Sequence, residues 1–278
     1  MSVRGDGRLL RTAGRDEPGA MARGESGPSL VVRCFGGFRM RVNGRDLDGG
    51  RVRPRVYTLL RFLALHAGRP VHREHMLDAL WPNLQHPAGI RNLQVAMSNL
   101  RALLEPDVPR GASRLIRREG ASYLLALPTD GISDVREFDA AIRAARRGCE
   151  AGRANAAIES LHVALAQYRG ELLPEDGPAE WVVAERERYR HEAAAAAGTL
   201  AEIELARNRP GAAADAARRS LAIDSFRDAS WQVLVEASQR AGHAADAELA
   251  RREYHDMLRS LGLPHHTDEL GLERFTAS

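Results

Sequence analysis

One predicted helix presents side chains that suit the reading of DNA. At about 100° per residue, the apolar side chains of residues 90–104 form one stripe that must face the core: Ile90, Leu93, Met97, Leu100 and Leu104. The opposite face has short side chains and no acidic residue: Arg91, Asn92, Val95, Ser98, Asn99 and Ala102, with Gln94 and Arg101 on a flank. A major groove favours such a face, because amides pair with base edges and small apolar groups contact thymine methyls. Arginines at the edges can bind phosphates.

The same face has a second interpretation, as an uncharged surface that packs on another domain, and the helix alone leaves the two about even. The charge around it favours DNA. All 40 basic residues are arginine, and they are unevenly distributed. Residues 1–127 hold 21 arginines against 11 acidic residues, a net charge of +10, whereas residues 128–278 hold 19 against 26, a net charge of −7. Composition bias explains arginine in place of lysine but not this segregation, which is typical of a nucleic-acid-binding unit joined to a different one.

The segments around this helix predict a winged helix-turn-helix unit. LVVRCFGGFRMRV, followed by Asn43-Gly44, predicts two short strands and a tight turn. One helix begins at Pro54 and a second, shorter helix ends before Pro82. The segment RLIRREGASYLLAL then predicts a hairpin around Glu119-Gly120. Strands, three helices and a hairpin, in this order, are the elements of a winged helix.

Beyond Asp134 the chain is rich in alanine and almost wholly helical. Helices are predicted near residues 136–148, 154–169, 178–207, 211–222, 228–241 and 244–261. GRANAAIESLHVALAQY, PGAAADAARRSLAID and GHAADAELARREYHDML resemble one another as the second helix of a helical hairpin. Gly211 and Gly242 are 31 residues apart, close to the tetratricopeptide (TPR) period of about 34. The sequence therefore predicts a mainly α fold with little β: a winged helix followed by a degenerate TPR-like domain.

The length of 278 residues allows two domains. We predict disorder over residues 1–28, the winged helix over 29–128 and the helical domain over 134–272. The chain lacks the apolar core of a signal peptide and any run of about 18 apolar residues, which predicts a cytoplasmic protein without a membrane partner. Cys34 and Cys149 fall in different domains and are expected to be reduced thiols.

Other clusters of polar residues give weaker signals. The histidines at 66, 72, 75 and 86 match no ligand spacing, so no metal and no cofactor are expected. Glu171, Glu175, Asp176 and Glu180 surround a Pro-Gly segment and are interpreted as a solvated loop, although paired carboxylates could be catalytic. The three tryptophans, at 81, 181 and 231, are interpreted as core anchors, and the second could also face a partner. No phosphate-binding or nucleophile motif is present, and an enzyme is not expected.

Several segments, taken in order, resemble the SARP family, actinobacterial regulators of antibiotic biosynthesis. They are FGGFRMRVNG, RPRVYTLLRFLALHAGRPVHREHMLDALWP, RNLQVAMSNLRALLE, LIRREGASYLLAL and a helical region that ends in YHDMLRSLGLPHHTDEL. The resemblance covers about residues 30–272 and is most specific at DALW and RNLQVAMSNLR. It implies an OmpR/PhoB-type winged helix, a bacterial transcriptional activation domain of TPR-like helices, and a small member of the family without an appended nucleotide-binding domain.

The resemblance also implies roles for particular residues. Arg91, Asn92, Val95, Ser98, Asn99 and Arg101 would face the major groove and its phosphates. Arg117 and Arg118 match the wing, where this chain departs from many relatives by carrying Glu119 before the wing glycine and Ser122 before the wing tyrosine. The loop Pro82–Ala88 would touch RNA polymerase, through Pro82, Asn83, Leu84, Gln85 and His86.

The partners implied by the resemblance are promoter DNA, a second protomer on direct repeats near the −35 element, and RNA polymerase through its sigma factor and alpha C-terminal domain. The function implied is activation of an antibiotic biosynthetic gene cluster. Two alternatives stay open at this point. One is a repressor that uses the same winged helix, and the other is a TPR-like scaffold that binds a protein or a small ligand.

Overall fold

A computed structural model describes residues 29–47, 52–109 and 111–262 of the chain. Up to residue 133 its elements are short strands and three helices, and from there on they are helical. In chain order they are β1 Leu30–Arg33, β2 Arg39–Val42, β3 Arg45–Asp46, α1 Pro54–Leu65, β4 Val71–His72, α2 Arg73–Leu80, α3 His86–Leu104, β5 Ile116–Glu119, β6 Ser122–Leu125, β7 Ile132–Ser133, α4 Asp134–Glu150, α5 Ala154–Gln167, α6 Glu180–Ala206, α7 Pro210–Ile223, α8 Asp228–Arg240 and α9 Ala244–Ser260. The predicted fold class is confirmed. The disorder predicted over residues 1–28 lies outside the described residues.

Two small sheets hold the three helices of the winged helix. The first has the strand order β3-β2-β1-β7, with β7 parallel to β1, and the second has the order β4-β6-β5. The turn between β2 and β3 uses positive φ angles at Asn43 (50°) and Gly44 (77°), a conformation that these two residue types tolerate best. The two-residue strands β3, β4 and β7 were not predicted, because each is too short to show a pattern.

The α2–α3 loop is shorter than the predicted range Pro82–Ala88. Helix α3 begins at His86, so the last three residues of that range belong to its first turn. Pro87 lies in this turn, where the N–H that proline lacks would have no partner in the helix. Gly89 is buried in the same turn, and a Cβ atom there would lie 3.2 Å from a methyl carbon of Leu77. Glycine therefore lets α3 approach α2 closely.

The helical region is built from pairs of neighbouring helices. Helix α4 packs on α5, α6 on α7 and α8 on α9, and α7 also packs on α8. The connection within each pair is three residues long, which brings the second helix back along the first. The segments that resemble one another in sequence are α5, α7 and α9, the second helix of each pair. None of the described helices has the length and apolar character needed to cross a membrane.

The hydrophobic core runs without interruption from the winged helix into the helical region. Phe35, which follows β1, packs its ring against Phe138, Tyr168 and Tyr189, with ring centroids 5.5, 5.2 and 5.2 Å away. The buried carboxylate of Asp134, at the start of α4, accepts the backbone N–H groups of Cys34 and Phe35 at 2.8 and 3.0 Å. The first strand is thus anchored to the first helix of the other unit.

A second set of contacts joins α1 to the segment before α6. Arg61 forms a two-pronged ion pair with Asp176, with N–O distances of 2.6 and 2.5 Å, and the Asp176 side chain is only 4% exposed. Glu175 accepts the N–H of Phe38 at 2.6 Å. The interpretation of this acidic segment as a solvated loop is therefore wrong for Asp176, whose carboxylate is buried against Arg61. Glu175 is exposed while it accepts this N–H. Trp181 is half-buried against the ring of Phe62, at 5.3 Å.

Candidate DNA-binding surface

The predicted recognition helix has the two faces that its sequence indicates. Leu93, Met97, Leu100 and Leu104 are at most 3% exposed and face the core, and Ile90 packs at its edge. The side chains on the opposite side are exposed to solvent: Arg91, Asn92, Gln94, Val95, Ser98, Asn99 and Ala102. Val95 is 56% exposed and places a small apolar group in the middle of this face. An apolar group without cover, flanked by amides, is the arrangement expected of a surface that reads bases.

A hollow beside this face is formed with the start of α1. It has a volume of about 590 Å³ and is lined by Val52, Arg53, Val56, Val95, Asn99, Ala102 and Leu103. Arg53 is exposed, and no acidic residue lies in the first turn of α1. The N-terminus of a helix attracts anions through its free N–H groups and its dipole. Arg53 and this helix start therefore extend the cationic edge of the surface, a feature that sequence reasoning missed. The available signal was an arginine directly before Pro54, the first residue of α1.

One acidic side chain lies near the end of α3 but is turned inward. Glu105 is 8% exposed, and its carboxylate accepts the N–H groups of Arg114 and Leu115 at 2.9 and 3.0 Å and the hydroxyl of Ser113 at 2.5 Å. These donors satisfy the charge within the protein. The exposed face of α3 thus remains free of carboxylates in the folded chain as well as in the sequence.

Arg101 connects the recognition helix to the wing. It is half-buried, and its Nε donates a hydrogen bond to the carbonyl oxygen of Ile116, the first residue of β5, at 3.1 Å. This bond holds the arginine between the helix and the hairpin. Because this bond restrains the side chain, the terminal nitrogens of Arg101 suit contact with one phosphate better than contact with different bases.

The wing is the hairpin of β5 and β6, and it carries three exposed charges in succession. Arg117 and Glu119 lie on one side of the strand and Arg118 on the other, because side chains alternate along a strand. The Nε of Arg118 donates to the carbonyl oxygen of Gly120 at 2.9 Å, so this arginine lies against its own turn. The exposed carboxylate of Glu119 partly offsets the positive charge of Arg117 on the same side.

The residues predicted to touch polymerase are all exposed. Pro82, Asn83 and Gln85 are solvent-facing, and Leu84 is 43% exposed. Its N–H donates to the carbonyl oxygen of Trp81 at 3.1 Å, so the loop is ordered by its own backbone. His86 lies on the first turn of α3, with its Nδ1 atom 3.4 Å from a carboxylate oxygen of Glu74. Leu84 therefore places one exposed apolar group in the middle of this ordered loop.

The histidines at 66, 72, 75 and 86 contact neighbouring residues of the winged helix. His72 caps α2, accepting the N–H of Glu74 at 3.3 Å, and His66 lies 6.0 Å from His75, ring to ring. Burial, followed by the charge of Arg69, lowers the pKa of His66 to about 4, which keeps its ring neutral near pH 7. Within the described ranges, no group of three or more histidine, cysteine or acidic side chains is arranged to hold a metal ion. Cys34 is buried and Cys149 is exposed, and neither forms a disulfide.

Two family models match the chain, one over each unit. The model described as transcriptional regulatory protein, C terminal, matches residues 49–125, and the bacterial transcriptional activator domain matches residues 133–275, slightly more than half of the chain. The first covers α1 to α3 and both wing strands. The second begins where β7 passes into α4.

Curated relatives and a solved structure match most of this chain. The transcriptional regulatory proteins EmbR of Mycobacterium bovis and Mycobacterium tuberculosis are 26% identical to this chain over 250 residues, which is 88% of this chain and 60% of theirs. The chain thus spans about three fifths of the length of these relatives. The structure of M. tuberculosis EmbR in complex with a low-affinity phosphopeptide is similar with a TM-score of 0.70 and 23% identity, over 85% of this chain and 62% of that one. This likeness establishes the fold.

Proposed function

The chain belongs to the family of regulators that join a transcriptional regulatory C-terminal domain to a bacterial transcriptional activator domain, the SARP type, and we propose that it activates transcription by binding promoter DNA through its winged helix. The observation that carries the proposal is the exposed, carboxylate-free face of α3, bordered by arginines from α1, α3 and the wing. Phosphate contacts by those arginines would position the protein, and the helix face would supply the base contacts.

The exposed side chains divide into two groups by chemistry. Asn92, Ser98 and Asn99 offer hydrogen bonds to base edges, and Val95 offers a contact to a thymine methyl group. The second group binds phosphates: Arg53, Arg91, Arg101, Arg117 and Arg118. Glu119 repels phosphates, so the wing in this proposal clamps the backbone weakly and reads no bases.

Activation requires a contact with the transcription machinery, which we assign to the α2–α3 loop. This loop would touch RNA polymerase at its sigma factor or alpha C-terminal domain, because its exposed Leu84 is flanked by exposed polar residues and proline. Its contact residues are Pro82, Asn83, Leu84, Gln85 and His86. The family resemblance supports two protomers bound head to tail on direct repeats near a −35 element, whereas binding to a palindrome would require two-fold symmetry. The family resemblance supports a secondary-metabolite gene cluster as the target.

Fluorescence anisotropy with promoter fragments from the gene cluster around its own gene, and with a scrambled duplex, tests the proposal across a range of salt. Wild-type protein should bind the promoter more tightly, with an affinity that falls as salt rises. Asn99→Ala should reduce promoter affinity about tenfold or more and leave scrambled DNA unaffected. Arg91→Glu should weaken both duplexes, whereas Arg143→Glu, an exposed reversal on α4, should have a much smaller effect.

The alternatives correspond to other outcomes. Equal, weak binding to both duplexes, unaffected by Asn99→Ala, would contradict base reading and favour a scaffold whose basic half merely associates with DNA. Specific binding that lowers transcript levels in a reconstituted assay would identify a repressor. Activation that is lost in Leu84→Asp while DNA affinity persists would support the assignment of the α2–α3 loop.

A further inference from the structure

A groove lies between α4 and α6 in the helical region, with α5 as its floor. Its volume is about 550 Å³, within the range of about 300–1,000 Å³ that small organic ligands occupy. Its walls are largely apolar, formed by Ile142, Ala145, Leu161, Ala195 and Ala196. The groove is separate from the α3 face and plays no part in the proposed DNA contact.

One of the two arginines that line the groove forms no ion pair with the described residues. Arg227, at the start of α8, lines the groove, and its Nε atom is buried without a hydrogen-bond partner among the described residues. This atom lies over helix α6, where a Cβ atom on Gly198 would be in ordinary contact with it at 3.7 Å. A buried donor without a partner is costly, and native proteins leave few of them. The Nε of Arg227 is thus held inside the fold without a partner, while the half-exposed side chain lines the groove.

Two other arginines near the groove are paired. Arg146, which also lines the groove, lies 3.3 Å from Glu192, and Arg190 lies 3.3 Å from Asp224. Of the other titratable groups in the groove, Glu150 is exposed at the end of α4, and His191 is exposed with its Nε2 atom 3.8 Å from Asp224. Of the two arginines in the groove, Arg227 is thus the one whose charge is left for a ligand, next to the apolar walls.

We propose that this groove binds a small organic anion, with its acidic group on Arg227 and its apolar body against α4 and α6. An arginine beside a partly desolvated surface recognises a carboxylate or sulfonate by charge-assisted hydrogen bonds. The apolar walls require a ligand with a ring or chain, in contrast to a free inorganic ion. Such a site gives the regulator a place to bind an acidic metabolite, independently of whether it binds DNA.

Two fluorescent probes with the same ring system test the charge requirement. 1-Anilinonaphthalene-8-sulfonate carries an anionic group, and N-phenyl-1-naphthylamine lacks it. Arg227→Gln should weaken binding of the sulfonate about tenfold or more, because a charge-assisted hydrogen bond is lost, and should leave the neutral probe nearly unaffected. Arg143→Gln, an exposed change on α4 outside the groove, should affect neither probe. Ala195→Phe, which fills the groove, should weaken both.

Cys149 reports where the probe binds. It is an exposed thiol that lines the groove, whereas Cys34 is buried, so N-ethylmaleimide should alkylate Cys149 first. The sulfonate should slow this alkylation in wild-type protein and fail to do so in Arg227→Gln at the same concentration. Undiminished sulfonate binding in Arg227→Gln, or binding that leaves the rate of Cys149 alkylation unchanged, would overturn the proposal. Neither measurement involves DNA, so both are independent of the proposed function.

Discussion

At the scale of single residues, the ion pair between Arg61 and Asp176 is the most consequential polar contact of the junction. Both side chains are nearly buried, at 10% and 4% exposure. Asp176→Ala should lower the free energy of unfolding by about 3–5 kcal/mol, because it leaves Arg61 buried without a partner. Urea denaturation measures this change. Asp46→Ala removes the exposed partner of Arg41 and should have a much smaller effect, because solvent screens an exposed pair. Equal effects of the two substitutions would contradict the structural role of the buried pair.

His66 gives the stability of the protein a dependence on pH. Because its pKa is lowered from 6.5 to about 4, mainly by burial, the unfolded chain binds the proton more tightly than the folded chain. The stabilisation is complete above pH 6.5 and is lost as the pH falls from 6.5 towards 4. It should amount to about 1–2 kcal/mol between pH 7 and pH 5. Urea titrations of wild type and His66→Gln at both pH values measure it.

The comparison with His66→Gln is essential, because Asp134 acts in the opposite direction. Burial raises the pKa of Asp134 to about 6, although the hydrogen bonds that its carboxylate accepts from backbone N–H groups lower that pKa. Its contribution is present below about pH 4 and is lost as the pH rises towards 6. The net pH profile of the wild type therefore mixes both groups. An identical pH profile for wild type and His66→Gln would contradict the lowered pKa of the histidine.

At the scale of elements, helices were predictable where their pattern is local. The core stripe of α3 follows from the spacing of Leu93, Met97, Leu100 and Leu104, and the helices beyond residue 134 begin and end within two residues of the predicted positions. Strand β7 could not be predicted, since it has two residues and pairs with β1 about 100 positions away. The partner of Arg61 could not be predicted either, because no sequence pattern connects residues 115 positions apart.

The wing offers a prediction that belongs to the hairpin as an element. Glu119 is exposed beside Arg117 on the strand that would approach a DNA phosphate. Glu119→Arg should raise affinity for promoter and scrambled duplexes alike and steepen the salt dependence of binding, because it replaces a repelled charge with an attracted one. Anisotropy titrations at several salt concentrations measure both. Glu202→Arg changes net charge equally on the exposed side of α6. Equal gains from both substitutions would mean that overall charge, and not the wing, sets the affinity.

At the scale of the whole molecule, the winged helix and the helical region form one packed structure. The contacts that join them come from β1, α1 and α2 on one side and from α4, α6 and the segment before α6 on the other. Phe35 and Phe62, both at most 3% exposed, are covered partly by rings from the helical region. The orientation of α3 is thus fixed relative to the helical region, which suits the proposed placing of a partner at one position on DNA.

This packing predicts that the winged helix depends on its neighbour for stability. A fragment of residues 29–128 lacks β7, the carboxylate that accepts the N–H groups of Cys34 and Phe35, and the rings that cover Phe35. Burial of one large apolar side chain contributes about 1.5–3 kcal/mol, and the amide groups would lose their acceptor as well. The fragment should therefore melt at a lower temperature than residues 29–262, and hydrogen exchange should be faster at the amides of β1.

The longer fragment should unfold in a single calorimetric transition, since its core is continuous. Two separate transitions in the longer fragment, with equal β1 protection in both, would show that the units fold independently and that the junction orients the winged helix without stabilising it.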